Sequence, residues 1–161
     1  MAARPRPFGA VAIALAVAAA SLALRPVTVL ELRNDTRGGT VRIPVPGGGP
    51  FVVTSLHSIY DQPVEEEFVV DDEGALVLEA VSSPSAAVLE YFGITELGER
   101  HAVVRTMRQL VFRVAAGAPQ RLRVGGAERS FLEFGDHGDR LVLTASRAPA
   151  FARWSLLLHH S

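Results

Sequence analysis

The chain has 161 residues, with sixteen arginines and no lysine against seventeen acids, a net charge of −1 and no cysteine. That length leaves room for one domain behind an N-terminal leader. The missing cysteine excludes disulfides, thiolate zinc sites and cysteine catalysis, and the balanced charge supplies no field to hold nucleic acid or an anionic lipid surface.

In chain order, Arg4 and Arg6 open the sequence and an uncharged, Ala-rich run covers 8–24. Its length, about 17 residues, is the lower limit for crossing a bilayer. Arg25 and Pro26 stop it. A basic start followed by an uncharged run predicts a cytoplasmic N-terminus with the remainder outside. Ala18-Ala19-Ala20 and Ser21-Leu22-Ala23 both have the small-x-small form of a signal-peptidase site, so the segment is either a cleaved signal peptide or a retained membrane anchor. The division is 1–25 as signal peptide or N-terminal anchor helix and 26–161 as one β-rich extracytoplasmic domain, placed in the periplasm or tethered to the membrane.

Beyond Pro26, short β-type runs alternate with turn residues. They lie at 27–32, 40–43, 51–57, 64–70, 75–81, 103–107, 110–114, 121–124, 130–134, 141–145 and 154–158. Gly125-Gly126 and Gly135-Asp136-His137-Gly138 mark turns between them. The spacing predicts an all-β fold, an antiparallel sandwich or partly open barrel. One segment departs from it: 85–92 reads as a short helix, with Ser85 in the capping position and Gly93 as the stop.

The runs 51–57 and 64–70 read as a hairpin. Side chains alternate between faces along a strand, so Phe51, Val53, Ser55 and His57 share one face and Val64, Glu66, Phe68 and Val70 share another. Matching apolar to apolar predicts His57 opposite Val64 and Ser55 opposite Glu66. His57 and Glu66 are then diagonal neighbours, about 7–8 Å apart at the backbone. A carboxylate on a buried face needs a partner, and His57 can supply it. The pair reads either as a polar clasp in the hairpin or as a binding or acid–base site, with Ser58 and Tyr60 nearby. A Ser–His–acid triad of Ser58, His57 and Glu66 is disfavoured, because adjacent strand residues point to opposite faces.

Charge is unevenly spread. Acids gather between Asp61 and Glu79, where no arginine occurs, and arginines between Arg100 and Arg129. The two blocks either lie side by side and neutralise each other or form a bipolar surface that orients a partner.

His57-Ser58-Ile59 followed by Pro63-Val64-Glu65-Glu66 resembles the His-Ser-Val … Pro-Val-x-Glu signature of the bacterial domain-of-unknown-function 1850 family. The resemblance covers 27–158 and is specific over 57–68. It implies a short β-rich envelope protein encoded beside the fused membrane subunit of TAXI-type TRAP transporters, which are ion-driven solute importers. It marks His57, Ser58 and Glu66 as the motif positions. Ser82-Ser83-Pro84-Ser85-Ala86-Ala87 stands where the family carries a Gly-rich stretch, so a pocket shaped by that loop is altered here.

Asp136-His137-Gly138-Asp139 fits a tight turn better than a metal loop, since calcium-loop spacing is absent. His101 reads as a surface residue, and His159-His160 as a frayed end. No metal ligand set, cofactor motif or catalytic residue is assigned. Two functions remain. One is a non-enzymatic envelope accessory or ligand-binding module that assists a TAXI-type TRAP transporter, with that transporter's membrane subunit as partner. The alternative is a small hydrolase-like envelope enzyme that uses His57 and Glu66 as an acid–base pair.

Overall fold

A computed structural model describes residues 26–149 except Leu97. The leader at 1–25, the run at 154–158 and His159-His160 lie outside the described residues. The described chain forms ten strands: β1 (Pro26–Asn34), β2 (Thr40–Val45), β3 (Phe51–His57), β4 (Gln62–Val70), β5 (Leu76–Ser82), β6 (His101–Met107), β7 (Leu110–Arg113), β8 (Arg121–Val124), β9 (Ala127–Ser130) and β10 (Arg140–Pro149). One helix, α1 (Ala86–Tyr91), joins β5 to β6. All strand pairings are antiparallel, in a four-stranded sheet of order β2-β1-β10-β7 and a six-stranded sheet of order β6-β5-β4-β3-β8-β9. The fold is an open two-sheet sandwich, not a closed barrel; among the described residues both sheets end in unpaired edge strands.

Alternation builds the core. Leu30 and Leu32 from β1, Phe51 and Val53 from β3, Val64 and Phe68 from β4, and Leu141 and Leu143 from β10 all point between the sheets and are buried. Phe51 and Phe68 sit opposite each other with their rings stacked at 5.3 Å. Val88 and Leu89 of α1 and Phe131 complete the cluster.

Three expectations are corrected. The strand predicted at 130–134 is β9 ending at Ser130, followed by a 3-10 turn over Phe131–Glu133. Ser130 accepts from the Leu132 N–H while Glu133 accepts from the Ser130 N–H at 2.8 Å, a reciprocal cap that stops the strand and rolls Phe131 inward. Helix α1 is where the sequence puts it, but Ser85 makes no side-chain cap; Ser83 Oγ instead accepts from the Ser85 N–H at 3.2 Å.

The third correction is the hairpin register. His57 pairs with Gln62, Ser55 with Val64 and Val53 with Glu66, two residues away from the predicted alignment. The cause is a shorter turn. The Asp61 N–H donates to the His57 carbonyl at 2.8 Å, and Asp61 adopts a left-handed φ of 50°, so the reversal closes over 58–61. A two-residue slip preserves the facing of every side chain, so Glu66 still points inward.

Candidate functional site

β3 delivers His57 to one end of the sandwich, on the inward face. The residue is 9 % exposed. It stacks on Tyr60 at 5.2 Å and meets Tyr91 edge-on at 4.6 Å and Phe92 at 6.4 Å. Its Nδ1 accepts a long hydrogen bond of 3.4 Å from the Ile59 N–H. Around it, Ile59 is 68 % exposed, Tyr91 56 % and Tyr60 42 %. Three large side chains that ordinarily seek cover therefore stand in solvent on one end of the molecule.

Glu66 lies deeper on the same face, in a row with Val53 on β3 and Val81 on β5. Burial pushes its carboxyl above the ordinary range, and the charge of Arg105 partly opposes this. Arg105 comes from the inward face of edge strand β6 and rests over the Phe92 ring, 5.7 Å from its centre. The register places His57 and Glu66 four positions apart along the hairpin, about 13 Å at the strand rise. The direct pair expected of them does not form. Among the described residues no hydrogen bond joins His57 to Glu66 or to Ser58. Ser58 is an exposed turn residue just past the end of β3. Along the hairpin the Ser55–Val64 pair lies between the two motif positions, while Phe92 packs beside His57 and carries Arg105, whose charge reaches Glu66.

Tyr91, Phe92 and Arg105 were not singled out from the sequence. The two rings follow the apolar segment of α1, and a helix that covers the end of a sheet brings such rings against whatever the sheet presents there. That signal was available, but its target was not.

The turn at 136–139 is held by its own hydrogen bonds and by β1 and the loop after it. The Asp139 N–H donates to the Asp136 carbonyl, and the Asp139 carboxylate accepts from Asn34 Nδ2 at 2.9 Å, the Asp136 N–H at 3.0 Å and Arg37. The Asn34 hydrogen bond, with Asp136 N–H and Arg37 behind it, holds the carboxyl below its ordinary range against the opposing effect of burial. Among the described residues no group of three or more His, Asp or Glu is placed to hold a metal ion, and no helix is long and apolar enough to cross a membrane.

Comparison with family models, with curated proteins and with solved structures returned no match.

Proposed function

We propose that this chain is a non-enzymatic binding module of the cell envelope, exported by its leader, that assists a TAXI-type TRAP solute transporter by docking on the transporter's membrane subunit. The observation that carries this reading is the exposed trio of Ile59, Tyr60 and Tyr91 around His57. Tyrosines with one wet and one packed side are the residues that anchor protein interfaces. The motif resemblance falls on the same turn and supplies the partner.

The hydrolase-like alternative draws support from one feature, the raised Glu66 carboxyl, which suits a general acid. It lacks the contact between acid, histidine and nucleophile that such chemistry needs.

The test is recovery from membranes. The tagged chain, cross-linked in cells that express the transporter, should bring down the identified membrane subunit. The double variant Tyr60→Ala, Tyr91→Ala should lose it while keeping its β-sheet circular dichroism. Retention by the double variant, or no recovery of the subunit by the native chain, overturns the reading.

A further inference from the structure

The outer face of the six-stranded sheet holds a cleft of about 400 Å³ near the start of β4. Thr54, Glu65 and Ser82 form its floor; they are direct cross-strand neighbours on β3, β4 and β5. Pro63 and Pro84 wall it, and Glu99, in the loop leading into β6, stands at the rim. The wall is preformed, because Ser83 Oγ donates to the Pro63 carbonyl at 2.7 Å and also accepts from the Ser85 N–H. The volume falls within the range of small-ligand sites.

The floor is rich in acceptors with open capacity. Among the described residues the Thr54 and Ser82 hydroxyls have no hydrogen-bond partner. The neighbouring acid Glu67 is clasped by two nitrogens of Arg100, at 3.0 and 3.2 Å. Glu65, the acid inside the cleft, has among the described residues only Arg123 at 3.7 Å, beyond hydrogen-bond range. Arg121, opposite Thr54, is taken by Glu128 at 2.6 Å. Glu99 has no ion-pair partner among the described residues. The cleft thus presents a row of hydroxyl, carboxylate and hydroxyl between two rigid apolar walls, with a second carboxylate above.

We propose that this cleft binds a primary alkylammonium ion. An ammonium group carries three N–H donors and no acceptor, which matches the three acceptors of the floor, and its alkyl chain matches the proline walls. Among the described residues no aromatic side chain lines the cleft, so a quaternary ammonium, which is held by aromatic faces and offers no donor, fits poorly.

The experiment is calorimetric titration of the purified full chain with butylammonium chloride, with butyltrimethylammonium and 1-butanol as comparators. Butylammonium should bind saturably and in preference to both. Glu65→Gln, a change at a half-exposed side chain, should weaken it at least about tenfold, the size of one charged hydrogen bond. Ser82→Trp, which fills the cleft, should abolish it. The Tyr60→Ala, Tyr91→Ala variant should bind butylammonium as the native chain does, which separates this site from the docking end. Absence of saturable butylammonium binding, equal binding of butyltrimethylammonium, or unchanged affinity in both cleft variants overturns the proposal.

Discussion

Glu66 and Asp139 are both inward-facing carboxylates, and their surroundings treat them oppositely. Glu66 has a cation at a distance and no hydrogen-bond donor among the described residues, so burial dominates and raises its pKa. A carboxyl whose folded pKa is raised gives stability that is fully present below its ordinary value of 4.5 and is lost as pH rises through the folded value. Glu66→Gln should therefore melt higher than the native chain at pH 7.5, by about 4 °C, the size of a 1 kcal/mol effect in a domain of this length. The gain should vanish at pH 4. A melting series across pH checks it, and a variant that melts lower at pH 7.5 refutes the account of Glu66 as a carboxylate whose burial outweighs the pull of Arg105. Asp139 has donors on every side and a lowered pKa, so its contribution is present above 3.8 and disappears as pH falls through the depressed value. Asp139→Asn should lower the melting point at pH 7 and lose that effect in strong acid. Gly135 lies against this latch. A Cβ there would sit 2.7 Å from Asn34 Nδ2, so Gly135→Ala should cost about 1–3 kcal/mol in chemical denaturation, the usual price of overpacking.

At the scale of the element, the β3–β4 hairpin shows what alternation reveals and what it leaves open. The inward set of β3 and β4 was legible because side-chain period and burial coincide: Phe51, Val53, Val64 and Phe68 are all buried. The register was not, because it depends on which residues close the turn, and apolar residues can be matched in more than one alignment differing by two. Asp61 decides it by taking a left-handed φ that Asp tolerates and a β-branched residue does not. Asp61→Val should thus destabilise by about 1–2 kcal/mol, read as a shifted urea midpoint with an unchanged slope. If it is neutral, the turn does not set the register. Strand β5 hid a different irregularity. Its pairing shifts between Leu78 and Ala80, so Leu76 and Leu78 face the core and, one residue out of step, so does Val81. A simple period of two over 75–81 cannot show a bulge. The helix was legible because its ends are punctuated by Ser85 in the N-cap position and Gly93, while its packing partners at His57, some thirty residues earlier, were set by tertiary docking alone.

Across the whole molecule, the acidic and basic blocks of the sequence end up interleaved. The acids of β4 lie between Arg100 at the head of β6 and Arg123 on β8, which reach Glu67 and Glu65, and Asp72 at the far turn meets Arg147 of β10. The first two pairs join the two blocks, while Arg147 lies outside the basic block, so the side-by-side neutralisation is partial. It leaves shape and apolar surface, more than charge, to distinguish one end of the sandwich from the other. The ends are well separated. β3 runs from Phe51 to His57, about 20 Å at the strand rise. Pro26, at the start of β1, and the β4–β5 turn holding Glu73 lie at the end opposite His57, since Thr28 pairs with Val45 ahead of Phe51 and Asp72 is tied to Arg147. A chain without cysteine lets the two ends be compared one thiol at a time. Ser58→Cys and Glu73→Cys both place a thiol at an exposed turn position. In membranes containing the transporter subunit, maleimide should modify Glu73→Cys at the rate seen for the isolated protein. Ser58→Cys should be slowed several-fold, and the protection should disappear when Tyr60 and Tyr91 are also replaced by alanine. Protection at Glu73→Cys with free reaction at Ser58→Cys would move the docking surface to the opposite end and leave the aromatic cluster around His57 without a partner.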